Sequence, residues 1–282
     1  MTEKFTAHVE TFRSRDGLSI YLRSWVPDGH ARAILLIVHG FNSHSGQYVP
    51  VGEYFAATGL AAYALDLRGR GRSEGERFYV EDFADYLADV RHMAEIARSR
   101  HPGLQIFLLG HSAGGVVSSV FALEHQDKLA GLICESFAFQ VPAPDVALLA
   151  LKGLSHLLPH VHVLKLKIED FSRDPVVMER LLADPLIQDE VQPTKTVAEM
   201  VRADERLKRE FPKITLPVLI LHGTEDRVTR PSGSQEFFDN AGSSDKTLKL
   251  YEGHWHDLLA DIGRESVLAD ILGWIDARVR AS

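Results

Sequence analysis

Apolar residues fall along this chain in two rhythms. Near the start, His8 to Arg13 and Ser19 to Val26 alternate apolar and polar positions, with Asp16-Gly17 between them. A period of two interrupted by such a dipeptide predicts an antiparallel hairpin. From Ala33 the rhythm changes. Ala33 to Val38 is apolar without a break. Similar runs recur at Leu60 to Leu65, Gln105 to Leu109, Leu129 to Cys134 and Pro217 to Leu221, and a last strand is expected over Thr247 to Tyr251. Unbroken runs of this length fit strands covered on both faces, as in a parallel sheet.

Helical spacing fills the intervals. Between Asp82 and Arg100, the residues Phe83, Tyr86, Leu87, Val90, Met93, Ala94 and Ala97 share one helix face, and Pro102-Gly103 then stops the pattern. Weaker helices are expected after Tyr48, Ser112 and Pro231, and an amphipathic one over Glu265 to Arg280. The alternation predicts an α/β protein with a mostly parallel, eight-stranded sheet and helices on both faces. It breaks between Phe137 and Pro212, where no clean strand stands. That stretch holds Val146 to Leu151, Leu154, Leu157 and Leu158, then a charged helical tail near Glu199 to Arg209. It is too long for a bare loop. A mostly helical cap over residues 137–212 is expected, inserted into a core of residues 1–136 and 213–282.

Composition changes this picture little. The 282 residues are 45% hydrophobic and 25% charged, the ordinary globular mix. Cys134, the single cysteine, lies in the apolar run Leu132-Ile133-Cys134 and reads as a buried strand residue. The net charge of −8 argues against a nucleic-acid partner, so Arg68-Gly69-Arg70-Gly71-Arg72 reads as a glycine-rich loop after a strand. Met1 to Glu10 has no apolar leader core, and no window approaches the roughly 20 apolar residues of a membrane span. A cytoplasmic protein without a transmembrane segment is expected. The apolar cap still leaves room for transient contact with a lipid surface.

The chemistry centres on Gly110-His111-Ser112-Ala113-Gly114, which follows an apolar strand and opens a helical segment. This is the strand–turn–helix setting of a nucleophile elbow. The sharp turn lifts Ser112 over the carboxyl edge of the sheet, beside the N–H groups of a helix start. A serine hydroxyl needs an adjacent base, and the base needs an orienting carboxylate. The acid should follow a late strand. Asp226 sits in the turn after Pro217 to Leu221, with Glu225 as its rival. The base should follow the last strand, where His256 is the choice and His254 the competitor. An oxyanion hole needs two amides. Ala113 supplies one, and Phe41 supplies the other from the loop His39-Gly40-Phe41-Asn42-Ser43-His44-Ser45. His39 and His44 lie ahead of the nucleophile and read as structural or hole-shaping residues.

These segments together resemble the monoacylglycerol lipase-like α/β-hydrolases, a group filed with the serine aminopeptidase-type hydrolases. The resemblance rests on His39 to Ser45, Asp66 to Gly75, Gly110 to Gly115, Gly223-Thr224-Glu225-Asp226-Arg227-Val228 and Tyr251-Glu252-Gly253-His254-Trp255-His256, in the family's order. It implies the α/β-hydrolase fold and a triad of Ser112, Asp226 and His256. It favours His256 through the family's Tyr-x-Gly-x-x-His spacing, and it implies a cap that shapes an acyl pocket. The loop Asp66 to Gly71 looks structural. There is one departure in the core. Glu135-Ser136-Phe137-Ala138-Phe139 stands where members often carry small residues and a proline. The resemblance does not extend to the cap.

The function so implied is hydrolysis of carboxylic esters with an apolar acyl chain, with aliphatic polyesters as incidental substrates. His39, Gly40, His111, Leu148 and Leu151 are candidate substrate-binding residues. One alternative is an aminopeptidase or amidase with the same triad, which should place a carboxylate such as Asp145, Glu169 or Asp170 against a substrate amine. Another is a non-catalytic binding protein on the same scaffold. Dehalogenase and epoxide-hydrolase chemistry would need a carboxylate where Ser112 stands. No metal-ligand spacing, P-loop or dinucleotide fingerprint occurs, so no cofactor or metal is expected.

Overall fold

A computed structural model of the chain describes residues 5–139 and 151–279. The chain order of strands is β1 (Phe5–Arg13), β2 (Ser19–Pro27), β3 (Ala33–Val38), β4 (Leu60–Leu65), β5 (Ile106–His111), β6 (Gly131–Glu135), β7 (His162–Leu164), β8 (Gln192–Pro193), β9 (Val218–Gly223) and β10 (Lys246–Tyr251). Eight of them form one sheet in the order β1-β2-β4-β3-β5-β6-β9-β10. Strand β2 runs antiparallel to β1 and β4, and the remaining pairs are parallel. This is the α/β-hydrolase arrangement, with β5 and its C-terminal turn near the middle.

The continuous apolar runs became the inner strands because each has two faces to bury. In β3, Ile34, Leu36 and Val38 pack into one core, and Ala33, Leu35 and Ile37 pack into the other. Helices α2 (Phe83–Arg100), α3 (Ala113–His125) and α6 (Pro231–Asn240) cover the first face. Helices α1 (Val49–Ala57) and α7 (Arg264–Asp276) cover the second. Asp82 caps α2 through a bond from the Ala84 N–H to its side chain, 2.8 Å.

Between β6 and β9 lie α4 (Pro175–Leu182) and α5 (Thr194–Glu210). This stretch also holds the antiparallel pair β7–β8, which corrects the expectation of no strand there. Strands of three and two residues are too short for any periodicity to mark them. Helix α5 begins at Thr194, ahead of the charged tail that signalled it. Its Met200, Ala203 and Leu207 join the core around α3. Among the described residues no helix is long and apolar enough to cross a membrane.

The arginine-rich loop turns inward. Arg68 pairs with Asp89 at 2.8 Å, Asp16 at 3.0 Å and Asp85 at 3.2 Å. Arg70 is fully buried, lies 4.3 Å over the Phe41 ring and pairs with Glu190. Glu190 also accepts the Asn42 N–H at 2.8 Å. One buried ion pair thus joins the glycine-rich loop, the Phe41 loop and the segment before α5. Truncating one member leaves the other charge enclosed without a partner. Glu190→Ala should therefore lower unfolding free energy by about 3–5 kcal/mol, measured by denaturant titration. A loss within error of zero would show that the pair holds nothing together.

Candidate active site

Ser112 sits between the end of β5 and the start of α3, with φ 53° and ψ −121°. A residue other than glycine enters that region at a cost, and only surrounding structure can hold it there. Three close approaches do so. The Ser112 N–H donates to Glu135 O on β6 at 2.9 Å. A Cβ on Gly114 would lie 2.2 Å from Val38 O. A Cβ on Gly40 would lie 2.8 Å from Ser112 Cβ and 3.4 Å from the Ala113 nitrogen. The His39-Gly40-Phe41 loop is thereby pressed against the Ser112 turn, and Phe41, Ser112 and Ala113 line one cavity of ≈ 440 Å³.

Asp226 and His256 come together in the turns after β9 and β10. Asp226 Oδ2 accepts from His256 Nδ1 at 2.8 Å, from Thr229 Oγ1 at 2.7 Å and from His222 Nε2 at 3.0 Å. Its Oδ1 accepts the Val228 and Thr229 N–H groups at 2.7 and 2.9 Å. Burial would raise the pKa of this carboxyl, but His256 and the donors around it carry it well below the usual range. The bond to Asp226 places the imidazole proton on Nδ1. Nε2 of His256 is buried with no hydrogen-bond partner. The ring lies edge-on to Phe171, centroids 5.1 Å apart, and 4.9 Å from the His111 ring beside Ser112.

The rival residues lie elsewhere. Glu225 is exposed. His254 packs against Tyr251, with its Nδ1 at 3.9 Å from Asp261. His39 is buried; its Nε2 accepts the Leu67 N–H at 2.9 Å, so Nδ1 donates to Gly40 O at 2.7 Å. Burial lowers its pKa to about 4. His44 caps the turn at Ser45 and meets Asp184 at 2.8 Å. Of the candidate substrate-binding residues, Leu151 lines the cavity, whereas His39, Gly40 and His111 lie behind its wall. Leu148 lies outside the described residues, as does Asp145. Asp170 lines the cavity at 4.0 Å from Arg227, and Glu169 is exposed.

Sequence reasoning missed His222, Thr229 and the role of Glu135. The Asp226-x-x-Thr229 spacing is an Asx-turn signal that could have marked Thr229. Glu135 is fully buried; its Oε1 accepts the Leu258 N–H at 2.7 Å, two residues beyond His256. Its Oε2 has no partner and stands 3.6 Å from His111 Nε2. Among the described residues, His111, Glu135 and Asp257 bring one ligand-type atom each within 4.8 Å of one another. Burial and the nearby Asp257 push Glu135 upward, and burial raises Asp257 to about 6. A cation held there would have to displace the proton that burial favours on Glu135.

Comparison with known proteins gives the family. The chain belongs to the hydrolase family described as serine aminopeptidase, S33, whose profile matches residues 29–263. Within it, the chain is a monoacylglycerol lipase-like serine hydrolase. It is 31% identical to a monoacylglycerol lipase of Mycolicibacterium smegmatis over 96% of this chain and 97% of that protein. It is 33% identical to the monoglyceride lipase of Homo sapiens over 93% of this chain and 88% of the other. The crystal structure of a Paleococcus ferrophilus monoacylglycerol lipase superposes with TM-score 0.83 at 28% identity, covering 92% of this chain and 99% of that one.

The buried carboxyls near His256 generate a pH prediction. An acid whose folded pKa exceeds its unfolded value, about 4, stabilises the fold below that value. It withdraws the contribution as pH rises through the folded pKa. Glu135→Gln keeps an acceptor for Leu258 N–H and removes the charge. Its melting temperature relative to wild type should rise by a few degrees from about pH 4 to about pH 8. A difference that stays flat across that range would contradict the raised carboxyl.

Proposed function

We propose that the protein hydrolyses carboxylic esters of an apolar acyl chain and a small alcohol, monoacylglycerols among them, through a serine acyl-enzyme. Ser112 Oγ attacks the ester carbonyl as His256 Nε2 takes its proton. Asp226 holds the imidazole and stabilises its positive form. The Phe41 and Ala113 amides receive the oxyanion. His256 gives its proton to the leaving alcohol, then takes one from water as the water attacks the acyl-enzyme, and returns it to Ser112 Oγ as the bond to the acyl carbon breaks and the acid is released.

The observation that carries this reading is the Asp226–His256 pair at 2.8 Å, with Nε2 unpartnered beside the turn that bears Ser112. The cavity over Ser112 supports the apolar half of the substrate through Val163, Leu166, Val197, Met200 and Val228. Most of these residues come from the stretch read as the cap, residues 137–212. The names of the relatives favour esters of glycerol with one acyl chain. Lys165, Lys167 and Arg227 also line the cavity and weigh against a substrate ammonium, hence against an aminopeptidase.

A panel of p-nitrophenyl esters from acetate to palmitate, run beside monoacylglycerols and an aminoacyl amide, tests the proposal. Turnover should favour medium or long chains, include the monoacylglycerol and exclude the amide. Ser112→Ala should lower kcat by a factor on the order of 10^4 or more. Faster turnover of the amide, or short-chain esters alone, would reject the lipase-type reading.

A further inference from the structure

One wall of the cavity is a single face of α5. Val197, Met200, Val201 and Asp204 all line it, at positions i, i+3, i+4 and i+7. Three are apolar, and the fourth is an acid. The neighbouring charged residues of this helix are paired: Arg202 with Glu199, Glu205 with Lys152 and Arg206 with Glu124. Asp204 has no such pair among the described residues, and its Oδ1 is enclosed with no hydrogen-bond partner. An acid placed there only for packing would be inferior to leucine at the same position.

We propose that Asp204 is a specificity residue that binds a hydroxyl on the substrate, so that the preferred esters carry a hydroxylated rather than a plain hydrocarbon chain. This rests on the ester-hydrolase reading above. Burial, with Glu205 beside it, pushes the Asp204 carboxyl well above the usual range. In its neutral form the group both donates and accepts, which matches a hydroxyl on both counts. A substrate ammonium fits less well, because Lys165, Lys167 and Arg227 outnumber Asp170 around the same cavity. A plain chain would offer the Asp204 carboxyl nothing to bond. A site built around such a group rejects analogues that lack the hydroxyl.

The test uses matched monoacylglycerols of dodecanoic acid and of its hydroxylated isomers, with the hydroxyl moved along the chain. For one isomer, wild-type kcat/KM should exceed that for the plain ester by about tenfold or more. Asp204→Leu should abolish that preference, mainly through KM, while Asp204→Asn keeps most of it. Equal ratios in wild type and Asp204→Leu would overturn the proposal. So would a stronger preference for an amino-substituted chain. Calorimetry on Ser112→Ala with the free hydroxy acid and the parent acid reads the same contact without turnover. Tighter binding of the hydroxy acid supports the proposal; equal binding, or none of either acid, overturns it. Failure of wild type to hydrolyse any ester would reject the ester-hydrolase reading separately, since this binding comparison needs no catalysis.

Discussion

The strained turn at Ser112 is the constraint on which the rest of the molecule is arranged. A serine at φ 53° persists only if its neighbours leave it no other place. Here the neighbours are backbone. The Glu135 carbonyl holds the Ser112 amide from one side, and the chain at Val38 to Gly40 closes on Gly114 and Ser112 from the other. Strands β3 and β6 flank β5 in the sheet, so the crossover order is what delivers both loops to this point. The buried apolar runs matter to chemistry for that reason. They fix three strand ends to one another, and the residues that follow inherit the spacing.

Buried carboxylates then fasten the loops that have no strand to fix them. Asp66 accepts the Ser45 N–H at 2.6 Å and the Arg72 N–H at 2.7 Å. Asp261 accepts the Arg173 N–H at 2.7 Å and the Trp255 N–H at 3.1 Å, which ties the stretch before α4 to the loop of His256. Asp226 is the extreme case, with five donors converging on one carboxylate. In each the anion is paid back in hydrogen bonds. Glu135 and Asp204 are enclosed with an oxygen left over, and burial pushes their pKa upward. The same residue type thus serves as a rivet or as a proton store, according to how many donors surround it.

The core was legible because its signals are local. Ala33 to Val38 is apolar at every position, and every one of those side chains is buried. The nucleophile turn, its flanking strand and the order of acid and base could be read in the same way. His256 is preferred to His254 for its place after the last strand, and the family spacing supports that; in the structure the two differ in what they face, Asp226 in one case and Tyr251 with Asp261 in the other. Glu135 stood out in the sequence as a departure, but its contact with Leu258 crosses more than a hundred positions, and no periodicity reports such a pair. Asp204 was invisible for a related reason. Among Arg202, Glu205 and Arg206 it looks like one more charge on a solvated helix, and only the cavity shows that it faces inward.

This difference in legibility has a physical basis. The groups proposed to make and break bonds are carried by strand ends and held by backbone contacts, so they tolerate few alternatives and leave recognisable motifs. The groups that line the rest of the cavity are side chains on helix faces such as Val197, Met200 and Asp204. A helix face can exchange one side chain for another without moving the backbone of the elbow. Substrate preference can therefore vary on a constant reaction centre, and the residue that departs from the apolar rule on such a face carries more information about the substrate than any member of the proposed triad.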